Sequence, residues 1–214
     1  MLNLRTVEKE GILNTYSRFL LLVATLSFLL SGTIQAETKS EISGKNEFGG
    51  KTVKTIYSEG DSNAGVFRES IAYFHGNAKK AKEEFVYTET VMNEKGFGKA
   101  VAYFDADEKV IKQEFFYTDK IVATNGAILL AYYYTGAGAF VKQELLYTDK
   151  FASANGYKKL TAYYHATGRV STREFEYTGK FADEYGFDRY MEHFDDAGRV
   201  IKQERYRNNK LIHQ

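Results

Sequence analysis

A column of tyrosines returns every thirty residues, at Tyr57, Tyr87, Tyr117, Tyr147 and Tyr177. Glutamates keep the same step at Glu84, Glu114, Glu144, Glu174 and Glu204. A third column pairs aromatics: Tyr73 with Phe74, Tyr103 with Phe104, Tyr133 with Tyr134, Tyr163 with Tyr164, and finally His193 with Phe194. Glycine recurs at Gly96, Gly126, Gly156 and Gly186, and the nine-residue segments KQEFFYTDK and KQELLYTDK, starting at Lys112 and Lys142, differ at two positions. A fixed period of this length implies a stack of supersecondary units, because a unit so short cannot bury its own apolar side and needs its neighbours to do so.

Within each unit lie two stretches of about nine residues rich in Tyr, Phe, Val and Ile, the composition of strands. They are joined by DADE at Asp105, TGAG at Thr135, HATG at His165 and DDAG at Asp195. Gly138, Gly168 and Gly198 fall where a three-residue hairpin loop needs a left-handed residue, and an Asp, Thr or His opening the loop can cap it. Ala78 and Glu108 replace that glycine in the first two units. The predicted unit is therefore a β-hairpin in which Asp195 faces Arg199, Phe194 faces Val200, His193 faces Ile201 and Glu192 faces Lys202.

Carried to the second unit, this register predicts a mainly aromatic face of Phe97, Val101, Tyr103, Ile111, Phe115 and Tyr117, with Lys99 and Gln113 among them. The other face receives Ala100, Ala102, Lys112 and Glu114, with Phe104 and Val110 near the turn. The repeated Lys-x-Glu, as in Lys82/Glu84, Lys112/Glu114, Lys142/Glu144 and Lys202/Glu204, then reads as a solvated outer face. An aromatic face must be covered, by curling or closing of the sheet, by another copy, or by a ligand. The expected fold is all-β: about five tandem hairpin repeats over residues 51–214 in one curled antiparallel sheet, for which closure into a barrel is allowed. Tyr73, Tyr103, Tyr133 and Tyr163, with Tyr87, Tyr117, Tyr147 and Tyr177, form the candidate binding surface, since tyrosine offers a large rigid ring and a polar tip at little entropic cost. The plainer reading of those columns is packing.

Ahead of the repeats, SRFLLLVATLSFLLSGTIQA combines a basic flank ending at Arg18, an apolar core from Phe19 to Leu30 and small residues leading to Ala36. That is the layout of a secretory signal helix, and the core is shorter than the ~20 residues of a spanning helix. Residues 1–36 are thus expected to be a cleaved signal, with an uncleaved anchor as the alternative, and 37–50 a flexible linker. The location follows: periplasm or exterior. The 29 basic and 28 acidic residues, less Arg5, Lys9, Arg18, Glu8 and Glu10, leave 26 of each. This neutrality, without any basic run, argues against nucleic acid as partner. The absence of cysteine removes disulfides, thiolate metal sites and a lipid-modified cysteine.

No catalytic constellation emerges. His75 and His165 share the turn-opening column, so turn capping accounts for them, and His193 stands in an aromatic column as a packing residue; His213 lies in no metal-ligating spacing. Glu114 and Glu144 each have a lysine two residues away, and DADE and DDAG lack the spaced oxygens of a calcium loop. GGKTVK at Gly49 lacks the spacing of a phosphate loop. The chain is read as a non-enzyme with no cofactor and no metal.

The stretches YYHATGR, REFEYTGKFADEYGF and HFDDAGRVIKQERY resemble the hairpin repeats of the MORN class, in particular its bacterial antitoxin-like branch, over about residues 51–211. The resemblance places Tyr163, Tyr164, Gly168, Glu174, Tyr177 and Gly186 in the repeat framework, and it implies protein interaction or membrane association. The chain departs from that class in its longer period, its lack of Trp and its lack of a doubled Gly-x-Gly in most units. The expected function is a binding or scaffold module for a protein or an envelope or lipid surface. The alternatives are a small barrel carrying an apolar ligand such as a lipid, and an outer-membrane barrel.

Overall fold

The computed structural model describes residues 39–58 and 63–213; the expected signal segment lies outside them. Strands β1 (Lys39–Lys45) and β2 (Gly49–Ile56) precede the regular hairpins β3 (Phe67–His75) with β4 (Lys80–Tyr87), β5 (Phe97–Phe104) with β6 (Val110–Tyr117), and β7 (Ala127–Tyr134) with β8 (Phe140–Tyr147). Then follow β9 (Tyr157–Tyr164) with β10 (Val170–Tyr177), β11 (Arg189–Phe194) with β12 (Val200–Arg207), and a last strand β13 (Lys210–His213). All thirteen lie in one sheet in chain order from β1 to β13. The sheet is open. Every neighbouring pair is antiparallel, so β1 and β13 run in the same direction and closure between them would require a parallel pair. Residues 39–45, expected within a linker, form a strand, and the sheet begins there rather than at Lys51.

The turns have the expected geometry. In each hairpin the residue opening the loop donates its N–H to the carbonyl four residues on, as in Asp105 to Lys109 and Asp195 to Arg199, both at 2.9 Å. The left-handed position is occupied by Gly138, Gly168 and Gly198 at φ 78–81°, and by Ala78 at 67° and Glu108 at 60° in the first two units. Asp105 Oδ1 accepts from the N–H groups of Asp107 and Lys109, and Asp195 Oδ1 from those of Ala197 and Arg199. The histidines of that column act otherwise: the His165 ring reaches the Phe194 carbonyl at 3.4 Å, and the His75 ring meets Phe48 edge-on.

One step past the turn the register differs from the expectation. Phe194 pairs with Val200 as predicted, but His193 pairs with Lys202 and Glu192 with Gln203, because Ile201 is left unpaired as a β-bulge. The same bulge recurs at Ala81, Ile111, Val141 and Ser171. A second bulge on the partner strand, at Arg68, Gly98, Ile128 and Lys158, compensates at the far end of the first four of these hairpins, and the β11–β12 hairpin has none. Since side chains alternate strictly along a strand, one unpaired residue exchanges which residues share a face. In the second unit Tyr103, Val101 and Lys99 therefore share a face with Lys112, Glu114 and Phe116, while Phe97, Phe115 and Tyr117 share the other with Ala100, Ala102 and Gln113.

The segments of about eight residues between hairpins are short helices: α1 (Glu89–Lys95), α2 (Asp119–Asn125), α3 (Asp149–Asn155) and α4 (Gly179–Tyr185). Seven residues are too few for a stable isolated helix, so tertiary contacts hold them. A threonine occupies each N-cap, and Gly96, Gly126, Gly156 and Gly186 close the C-termini at φ 74–93°. The helices stack along one end of the sheet: the N–H of Thr118 donates to Gly96 O at 2.8 Å, Thr148 to Gly126 O at 2.8 Å and Thr178 to Gly156 O at 3.0 Å. Beneath them lies the apolar core, where Phe67, Phe85, Tyr87, Phe97, Phe115, Leu130 and Tyr132 are buried.

Candidate functional site

The bulges bring together residues that the sequence reading had assigned to opposite faces. Across neighbouring strands, Tyr73 pairs with Lys82, Lys82 with Tyr103, Tyr103 with Lys112, Lys112 with Tyr133, Tyr133 with Lys142, and Lys142 with Tyr163. The row then continues through Thr172 and His193 to Lys202. It is an alternating ladder of rings and ammonium groups. Lys82 Nζ lies 4.1 Å from the Tyr73 ring centroid, Lys112 lies 5.2 and 5.3 Å from those of Tyr103 and Tyr133, and Lys142 lies 3.7 Å from that of Tyr133. At such distances the ring's negative face attracts the cation.

The glutamate column forms the adjacent row and completes each rung. Tyr103 Oη donates to Glu114 at 2.9 Å and Tyr133 Oη to Glu144 at 2.5 Å; Lys82, Lys112 and Lys142 reach Glu84, Glu114 and Glu144 at 3.1, 2.6 and 3.1 Å. In the last unit His193 replaces the tyrosine, its Nε2 lying 2.7 Å from Glu204, which also takes Lys202 at 2.7 Å. Only 13–20% of the Glu84, Glu114 and Glu144 side chains and 9% of Glu204 meet solvent. The Lys-x-Glu motifs, expected on a solvated outer face, are thus a half-buried polar network that is hydrogen-bonded throughout, the condition under which such groups are tolerated.

This arrangement moves the ionisation of its members. Burial, then the hydrogen bond to Glu114, pushes the Tyr103 hydroxyl up to about 12, and Tyr133 rises further for the same reasons beside Glu144. Burial alone would raise Glu84 and Glu144; hydrogen bonds from Lys99 and Lys82 to the first, and from Tyr133 and Lys142 to the second, outweigh it and hold both below the usual carboxylate range. Hydrogen bonds from Lys202 and His193 bring Glu204 down to about 2. At neutral pH Tyr103 and Tyr133 are therefore neutral phenols, while Glu84, Glu144 and Glu204 are carboxylates. Among the described residues no group of three His, Asp or Glu is placed to hold a metal ion.

The eight candidate tyrosines do not form one surface. Tyr73, Tyr103, Tyr133 and Tyr163 line the ladder face. Tyr87, Tyr117, Tyr147 and Tyr177 point to the opposite face and pack in the aromatic core, with ring centroids 5.4 Å for Tyr87 and Phe67, 4.7 Å for Tyr117 and Phe97, 4.2 Å for Tyr147 and Phe151, and 5.4 Å for Tyr177 and Phe187. Sequence reasoning missed the lysines and glutamates as direct partners of the first set. The motif was visible, but the bulge that turns it toward the tyrosines has no sequence mark comparable to the turn glycines.

No family model matches the chain, and no curated protein matches it. Among the described residues, no helix is long and apolar enough to cross a membrane, which leaves membrane-crossing strands unaddressed.

Proposed function

We propose that this chain is an exported, non-catalytic repeat module that presents the Tyr–Lys–Glu face of its sheet to a protein or to an envelope surface. The observation that carries this reading is the ladder itself: a ring and a carboxylate return every second strand, hence about every 9.6 Å, joined by an ammonium in four of the five units, on a sheet open at both ends. A rigid periodic display of rings and charges suits recognition of an extended partner, whereas an enzyme needs one convergent site. The leader-like residues 1–36 and the likeness of the hairpins to MORN-type repeats support the same reading. The carrier and outer-membrane alternatives both required a closed wall, which this strand order does not supply.

Capture experiments with the immobilised chain lacking residues 1–36 test the proposal. It predicts retention of a defined protein or envelope fraction, weakened when the exposed ring is removed by Tyr163→Ala. Retention of nothing beyond what an unrelated β-sheet protein holds would overturn it.

A further inference from the structure

The ladder has one missing rung. In four units the glutamate is preceded two residues earlier by lysine, and that lysine reaches it at 2.6–3.1 Å. In the remaining unit Thr172 stands in the lysine position before Glu174. The nearest cation along that strand, Arg173, comes one residue later and so projects from the opposite face, where its guanidinium lies over Phe194 and 3.8 Å from Glu192. It cannot serve the ladder.

The consequences appear on both neighbours of the substituted residue. Tyr163 is the most exposed tyrosine of its column, at 36%, and among the described residues no ammonium or guanidinium lies over its ring; Lys142, its cross-strand partner on the other side, is turned to Tyr133. Glu174, with only 12% of its side chain exposed, is hydrogen-bonded to the Tyr163 hydroxyl and has Arg189 at 3.7 Å; Lys159 acts on it electrostatically but is bound to Glu176, so no lysine stands two residues before it as in the other units. Thr172 does not fill the gap either, since its Oγ1 is engaged with His193 Nδ1 at 3.2 Å, on the side away from Tyr163. A ring, a carboxylate and a short side chain thus occupy the positions that elsewhere surround an intramolecular ammonium.

We propose that Tyr163, Thr172 and Glu174 form a receptor for a primary alkylammonium group, the side chain of a lysine presented by a partner protein. The incoming ammonium lies over the Tyr163 ring and pairs with Glu174, repeating from outside the arrangement that Lys112 and Lys142 make from within. This deepens the binding-module reading by naming the group that its partner contributes, and it rests on that reading for its biological occupant.

The test is an NMR titration of the chain lacking residues 1–36, labelled at tyrosine rings and glutamate carboxyls, with Nα-acetyl-lysine methylamide as probe and its Nε-acetylated form as control. The expected result is a saturable shift confined to Tyr163 and Glu174 that the uncharged control does not produce. Thr172→Lys, whose own ammonium fills the site, should weaken binding by about tenfold or more, and Glu174→Gln should do the same should the first variant not fold. A silent Tyr163, an equal response to the acetylated control, a response spread over Tyr103 and Tyr133, or undiminished binding by folded Thr172→Lys would each overturn the site. Silence at Tyr163 with intact envelope capture would remove the ammonium receptor alone; a clean response without any capture would remove the module reading instead.

Discussion

Ala78 and Glu108 hold left-handed backbone, φ 67° and 60°, at a position where the other hairpins use glycine. For a residue with a Cβ this conformation costs roughly 1–2 kcal/mol, against the ~0.4–1 kcal/mol by which glycine raises the entropy of the unfolded chain. Glu108 recovers part of that cost, since its Oε1 accepts a hydrogen bond from the Lys80 N–H at 2.9 Å, whereas Ala78 has no side-chain polar group with which to do so. Ala78→Gly should therefore stabilise the protein by up to about 1 kcal/mol in denaturant unfolding. A loss of stability would show the turn to be different. The ladder residues set the response to pH. Glu84, Glu144 and Glu204 have folded values below the ordinary 4.5, so the stability they confer is complete above 4.5 and is lost as pH falls, toward about 2 for Glu204. Tyr103 has the opposite sense, raised from 10.0 to about 12, so its contribution is complete below 10.0 and disappears through about 12. Thermal unfolding followed against pH should give a plateau that falls below 4.5 and again above 10; a midpoint that still rises between pH 10 and 12 would contradict the buried phenols.

The interhelix glycines carry two constraints in three units and one in the last. A Cβ added at Gly126 would clash with Phe151 Cβ in the next helix, and one at Gly156 would come within 2.9 Å of the Phe181 ring, while at Gly186 nothing lies within 4 Å. All three have positive φ. Gly186→Ala should thus cost the ~1–2 kcal/mol of left-handed strain alone, and Gly126→Ala clearly more, because Phe151 must also move from its stack on Tyr147. Equal losses in urea titrations would deny the helix stack. These helices also mark the limit of what the sequence disclosed. The period, the hairpins and the turn residues from Asp195 to Arg199 were legible because each rests on a local rule about left-handed backbone and capping oxygens. The helices were not, although Thr118 and Gly126 frame one as N-cap and C-cap residues, since seven residues carry too short an apolar pattern to distinguish from a loop. The ladder was half legible: Lys112 and Glu114 were evident as a repeated pair, but the unpaired Ile111 that turns them toward Tyr103 has no compositional signature, its equivalents being Ala81, Val141, Ser171 and Ile201. Thr172 was equally visible as a break in the pattern, and its meaning required knowing that Tyr163 and Glu174 flank it on one face.

At the scale of the whole sheet, each hairpin contacts its sequence neighbours in register, so stability approximates a sum over units and the interfaces between them. One face closes over aromatic side chains beneath the helices; the other is organised by the ring, carboxylate and ammonium ladder. The functional proposal depends on that second face being assembled by the bulged register. Cross-strand proton contacts in the labelled chain lacking residues 1–36 test it most directly. The bulged register requires contacts joining Tyr103 to Lys112 and Lys112 to Tyr133 in neighbouring strands. Contacts joining Tyr103 to Ile111 instead, with Lys112 opposite Ala102, would return the lysines and glutamates to the other face and contradict it.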